Sequence, residues 1–335
     1  MENKTSITHV ILTGGVGSRL WPLSRKSQPK QYLDIFDGKS LFEMTVNRNR
    51  NIANKVMVVG NRDNCHLSKQ VLEKSNTSYI DITEATPRNT AAAIAFAAFA
   101  SAADEVLIVT PSDHIIDDMV AYEAAIQEAI EKATAGAIVT FGIVPTKPET
   151  GYGYIERNGD NVLSFREKPN QITAMNFIDK GNFLWNSGMF CFKAGVFLEE
   201  LKYYSPEVYE KSKLAWEKNT NGNLDFELSM AIPSISIDYA VMEKSKKIKV
   251  VASQFAWSDL GSFESVYDYL LTIGHPVDEN GNMVIGTSNY TAFVGLRNTI
   301  FVHTETANLI LKKDKSQDVK SVYNKLEKMN SDLLN

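Results

Sequence analysis

The first feature of this 335-residue chain that could do chemistry is a glycine-rich run after a short apolar one. Val10-Ile11-Leu12 leads straight into Thr13-Gly14-Gly15-Val16-Gly17-Ser18-Arg19-Leu20. Glycines at a strand end let backbone N–H groups approach an anion closely, as a phosphate site requires. A tight strand-to-helix turn uses the same glycines, so the flanking charges decide between the two. Between Glu2 and Asp34 there is no acidic residue, whereas Lys4, Arg19, Arg25, Lys26 and Lys30 all fall there, in a chain of net charge -5. A solvated face would mix signs; this one-sided segment points to polyphosphate. Two common phosphate motifs fail in detail. A dinucleotide fingerprint needs a third glycine where Leu20 stands, and a Walker loop needs Gly-Lys followed by Ser or Thr.

Two carboxylates could hold a hard cation near such a loop. Asp113 follows the run Val106–Thr110 within Pro111-Ser112-Asp113-His114, where a parallel sheet presents its ligands. Asp259 stands in Trp257-Ser258-Asp259-Leu260-Gly261. Mg2+ is usually bound by one or two carboxylates plus substrate phosphates. Each Asp also has a purely structural use: a turn cap before Ile115, or the N-cap of a helix beginning near Ser262, which is the commoner role of an Asp so placed.

The run GGVGSRLWPLSR with the following PKQ resembles the signature of the sugar nucleotidyltransferase family, and its Trp21 form is similar to the mannose-1-phosphate guanylyltransferases. The resemblance continues, in order, through TEATPRNTAAAIA, TPSDH, ETGYGYI, FREKP, WNSGMF, IDYAVME and WSDLGSF. Val16 and Ser18 stand where the family commonly has Ser and Thr, which leaves backbone contacts there intact. The resemblance implies transfer of GMP from GTP to mannose 1-phosphate with release of pyrophosphate, assisted by Mg2+. It makes Arg19, Lys30, Asp113 and Asp259 the catalytic residues, with Asp113 and Asp259 as metal ligands. It assigns the nucleotide to Leu12, Gly14, Gly15, Gly17, Ser18, Glu84, Pro87, Arg88, Asn89, Thr90 and Ser112. It assigns the sugar phosphate to Gly153, Tyr154, Glu167, Lys168, Asn186, Gly188 and Asp238.

Nucleotidyl transfer crowds negative charge at phosphorus, so cations and positioning matter more than a covalent nucleophile. His114 therefore reads as packing or support, because a sugar phosphate is already an anion. Capping of the Ala-rich helix by Asn89 or Thr90 is compatible with a nucleotide role. Another hexose 1-phosphate would use similar contacts, and a non-catalytic nucleotide-sugar sensor would keep the pocket without turnover. Arg19, Lys30, Asp113 and Asp259 occurring together favour the enzyme.

The elements that must position these residues alternate along the chain. Ile7–Leu12, Lys55–Val59, Val106–Thr110 and Ile138–Ile143 read as strands, and Ser40 with Glu43 opens a helix to about Asn51. A second helix runs over Ala121–Ala133. Strand pairs follow, 152–156 with 162–166 and then 188–193, before a helix started by Ser205-Pro206. The alternation predicts an α/β fold, a mixed and mostly parallel sheet flanked by helices; the resemblance implies that it is Rossmann-like as in nucleotidyltransferases and that the short strands after residue 281 form a small C-terminal β-helical piece. The division expected is a catalytic domain over residues 1–275 and, over 276–335, short strands around 292–295, 299–303 and 307–312 with a last helix from Ser316. That helix places Val319, Val322, Tyr323, Leu326 and Met329 on one face.

Composition narrows the setting. The acidic balance excludes nucleic acid as a bulk partner, which needs a basic surface. Cys65 and Cys191 lack any metal-binding spacing and read as reduced cysteines of a cytoplasmic protein. No apolar stretch is long enough for a membrane span or a secretory leader. The family's C-terminal piece commonly supports oligomers, so a homodimer is an expectation of the resemblance.

Overall fold

A computed structural model describes residues 6–34 and 38–335; Lys4 lies outside them. The chain forms two compact units. One comprises Met1–Gly14, Glu43–Ser112 and Ile116–Trp257; the other comprises Gly15–Phe42, Asp113–Ile115 and Ser258–Asn335.

The larger unit is built on a nine-stranded sheet. Its strands are β1 Ile7–Leu12, β2 Lys55–Asn61, β3 Tyr79–Glu84, β4 Val106–Pro111, β6 Ile138–Ile143, β7 Tyr154–Asn158, β8 Asn161–Arg166, β9 Phe183–Lys193 and β10 Ile248–Ser253; the two-residue strands β5 Ile115–Ile116 and β11 Trp257–Ser258 lie outside it. The order across the sheet is β3-β2-β1-β4-β9-β6-β10-β8-β7. Only β8 and β9 run against the other strands, so the sheet is mixed with one dominant direction, as the alternating pattern implies. Both faces are buried, and period-two alternation divides the strands between two cores. Leu107 and Val109 join Phe192, Phe197 and the Ala-rich helix Asn89–Phe99 on one face. Val106 and Ile108 join Phe141, Cys191 and the helix Met119–Thr134 on the other.

Strand β3 has no clear signal in the sequence because Tyr-Ile-Asp-Ile-Thr-Glu mixes apolar and acidic residues, and it takes the sheet edge. That edge is covered near its end, at Thr83. Thr83 N donates to Gly222 O at 2.9 Å, and Leu224 N donates to Thr83 O at 3.1 Å. At Thr83 the edge is thereby closed to another chain.

In the smaller unit, β12 Met283–Ile285 pairs parallel to β13 Thr299–His303, which pairs antiparallel to β14 Asn308–Lys312. The strand expected around Ala292–Gly295 does not form; residues 291–297 are irregular and Val294 is exposed, so no partner strand fixes them. The last helix begins at Val319, after a 3-10 turn over Lys313–Asp318. Val319 and Tyr323 of its apolar face are buried, whereas Met329 lies beyond the helix and is 65% exposed.

Gly222 is left-handed at φ 82, and a Cβ there would collide with Asp81 O. Gly159 is also left-handed at φ 62 but has open space around it. Gly222→Ala should therefore lower the melting temperature well beyond Gly159→Ala, which pays only the left-handed penalty of about 1–2 kcal/mol. Equal shifts in the two variants, measured by calorimetry, would refute a steric role for the edge contact.

Candidate active site

Past Leu12 the backbone turns through Gly15 at φ 92 and Gly17 at φ 77, conformations open to glycine at little cost. Gly17 has a second constraint, since a Cβ would fall 2.6 Å from Lys30 Cβ. Gly17 O accepts from Leu20 N at 2.8 Å and from Ser24 Oγ at 2.6 Å, and Lys30 N donates to Val16 O at 3.2 Å. The loop is thus braced by the basic segment that follows it.

This loop forms one side of a cavity of about 500 Å³ in the smaller unit, lined by Gly15, Gly17, Ser18, Arg19, Lys30, Asp113 and Asp259 among others. The catalytic residues inferred from sequence are therefore brought together. Their roles differ from a simple set of phosphate donors. Lys30 is 4% exposed, and its Nζ lies 2.6 Å from Asp113 Oδ2 while donating to Asp259 O at 2.5 Å. A buried ammonium needs such partners. Arg19, by contrast, is exposed on the cavity wall with no side-chain partner among the described residues.

Asp113 sits deep among protein atoms, although 30% of its side-chain surface stays open. Burial alone would raise its carboxyl, but the charges of Lys30 and His114 and the Lys30 hydrogen bond hold it below the usual range. His114 Nε2 lies 3.8 Å from Asp113 Oδ1, a supporting position. Asp259 is not the cap of the following helix. Ser262 fills that place, accepting from Ser265 N, while Asp259 Oδ1 accepts from Gly261 N at 3.0 Å.

Two further clusters lie in the larger unit. At the end of β3, Glu84 is 6% exposed and its Oε1 has no hydrogen-bond partner among the described residues. Burial pushes its carboxyl up to about 7, against a hydrogen bond from the Arg88 backbone. Arg88 Nε donates to Ile232 O at 2.7 Å, Asn89 Oδ1 accepts from Thr90 N at 2.8 Å, and Thr90 Oγ1 accepts from Ile237 N at 2.9 Å. Pro87 belongs to the turn joining Glu84 to this helix start, and Ser112 N donates to Leu12 O at 3.1 Å.

The second cluster centres on Asn186 in β9. Its Oδ1 accepts from Thr140 Oγ1 at 2.8 Å and Gly188 N at 3.2 Å, leaving Nδ2 to donate to Asp238 Oδ1 at 3.2 Å. Asp238 opens a π-helical turn, Asp238–Met242, a local widening that often re-aims functional side chains. Burial first, and then the neighbouring Glu167, push its carboxyl up to about 6. Gly153 makes room here, because a Cβ would lie 2.5 Å from Glu167 Oε2 and 3.4 Å from Asn186 Cβ. Lys168, left-handed at φ 46, turns its ammonium onto Glu167 Oε1. Tyr154 is not brought to this group. Strand alternation buries its ring completely beside Phe177.

Sequence patterning missed Thr140, which fixes the Asn186 amide, because a threonine inside an apolar strand reads as β-propensity. It also missed Tyr323, Asn324 and Glu327, which line the same cavity as the glycine loop. Their helix is legible by its apolar stripe, and nothing in the spacing says what its other face meets.

Similarity to known proteins extends over nearly the whole chain. The family described as Nucleotidyl transferase matches residues 8–274, and the MannoseP isomerase/GMP-like beta-helix domain matches residues 276–326. The chain is 38% identical to the mannose-1-phosphate guanylyltransferase RfbM of Salmonella typhimurium, over 96% of this chain and 73% of that protein. It is 38% identical to the alginate biosynthesis protein AlgA of Pseudomonas aeruginosa, over 95% of this chain and 72% of that one. A crystal structure described as mannose-1-phosphate geranyltransferase from Thermus thermophilus covers 96% of this chain and 100% of its own, with a TM-score of 0.83 and 30% identity. By the extent of these matches, the chain belongs to the nucleotidyl transferase family.

Proposed function

We propose that this chain is a mannose-1-phosphate guanylyltransferase, transferring GMP from GTP to mannose 1-phosphate. The observation that carries the chemistry is a single cavity where a glycine loop, the exposed Arg19 and the carboxylates of Asp113 and Asp259 meet. The names of its relatives carry the choice of substrates. In the reaction a phosphate oxygen of mannose 1-phosphate attacks the α-phosphorus of GTP. The bond from that phosphorus to the β-phosphate oxygen breaks, and pyrophosphate leaves with the electron pair. The attacking oxygen is already ionised, so no general base is required.

Arg19 meets the phosphate charge as it redistributes toward the leaving group. Lys30 acts through Asp113, keeping that carboxylate ionised and oriented. Two carboxylates on one phosphate cavity are a donor set that fits Mg2+, with substrate phosphates and water completing the shell. Asp113 and Asp259 would hold the ion, which when bound supplies positive charge beside the triphosphate. Glu84, with one buried unpaired oxygen, is suited to the N–H edge of guanine. Glu167 and Asp238 accept from sugar hydroxyls, and Lys168 meets the sugar phosphate. No described helix is long and apolar enough to cross a membrane. A cytoplasmic location and a homodimer through the C-terminal strands are part of the same reading.

With four nucleoside triphosphates tested against a panel of hexose 1-phosphates, pyrophosphate release should be fastest for GTP with mannose 1-phosphate and should cease in EDTA. A different pair winning tenfold would displace the named substrates; no release from any pair would end the transferase reading. Arg19→Ala should cost roughly 10²–10³ in kcat, the usual loss for one transition-state donor. Lys30→Ala should slow turnover comparably but also lower the melting temperature, because it strands the Asp113 charge; a Lys30→Ala protein as stable as Arg19→Ala would refute the positioning role.

The pH dependence follows from Asp238, whose carboxyl titrates at about 6. Above that pH the ionised group accepts from a sugar hydroxyl; below it the acceptor is lost. The KM for mannose 1-phosphate should therefore rise as pH falls through about 6, and Asp238→Asn should flatten the part of that rise not due to the substrate's own phosphate. An identical pH profile in Asp238→Asn would exclude the contact.

A further inference from the structure

A second wall of the cavity comes from the C-terminal helix Val319–Lys328, through Tyr323, Asn324 and Glu327. This helix packs on the short turn Ser18–Leu20 that carries Arg19. The segment after it ties back to the basic stretch following the loop. Trp21 Nε1 donates to Leu333 O at 3.0 Å, Lys26 N donates to Leu334 O at 2.8 Å, and Lys26 Nζ lies 3.6 Å from Glu327 Oε1. The buried ring of Tyr323 anchors the helix, and its neighbour Asn324 is exposed with no side-chain hydrogen bond among the described residues.

We infer that Asn324 is a binding residue for the leaving pyrophosphate, its amide donating to a β- or γ-phosphate oxygen from the C-terminal helix. The proposal rests on the transferase reading above. A neutral amide suits this place. It donates to an anion without adding a charge that would hold the product, whereas Glu327 on the same wall opposes the anion and is offset by Lys26 at the solvent side. The C-terminal helix is thereby a working wall of the site as well as a brace for the loop.

The test is calorimetric titration of inorganic pyrophosphate into the full-length protein with Mg2+, beside steady-state kinetics for both substrates. Asn324→Ala should weaken pyrophosphate binding about tenfold, the lower end for a lost hydrogen bond to a charged group. Asn324→Asp should weaken it further, and Glu327→Gln should strengthen it. The KM for GTP should rise in Asn324→Ala while the KM for mannose 1-phosphate and the melting temperature stay unchanged, which a merely structural residue would not produce. Wild-type pyrophosphate affinity in Asn324→Ala, with wild-type protein active, overturns the helix contact alone. A wild-type protein that neither binds pyrophosphate nor releases it from GTP overturns the transferase reading, and the contact with it.

Discussion

The cavity depends on one interaction, the ion pair between the buried ammonium of Lys30 and Asp113. A lysine at 4% exposure is tolerable only with its charge matched, and Asp113 with the carbonyl oxygens of Asp259 and Leu260 supplies the match. Three separate stretches of chain are joined by those contacts. The glycine loop is fitted to the same lysine, since Gly17 leaves no room for a Cβ beside it. The basic segment is thus divided between tasks. Lys30 is internal, holding the Asp113 carboxylate and the Asp259 backbone in place, and Arg19 remains exposed on the cavity wall.

The Asn186 cluster follows a different electrostatic rule. Asp238 is raised first by burial and then by the neighbouring charge of Glu167. Glu167 is relieved by Lys168, which is held left-handed to reach it. A conformation disfavoured for lysine is kept where it sets the charge of the site, a recurrent use of local strain. Asn186 is oriented from both sides by Thr140 and Gly188, so its donor faces Asp238 rather than turning freely.

The sequence by itself determined the motifs, the strand alternation around β1, β4 and β6, and the residues that could carry charge. These are local properties: glycine's freedom at positive φ, short continuous apolar runs that suit strands covered on both faces, and the sign of the charges between Glu2 and Asp34. Only the tertiary structure decided the division of labour. Lys30 and Arg19 look alike in sequence, and burial of one and exposure of the other depends on packing from Asp113 and Asp259, far along the chain. Asp259 stands before a helix and reads as its cap, until the closer Ser262 takes that place. Tyr154 shares a motif with Gly153, yet the strand turns its side chain into the core. Asn324 carries no signal at all, because what an exposed helix face meets is a long-range contact that no local spacing encodes.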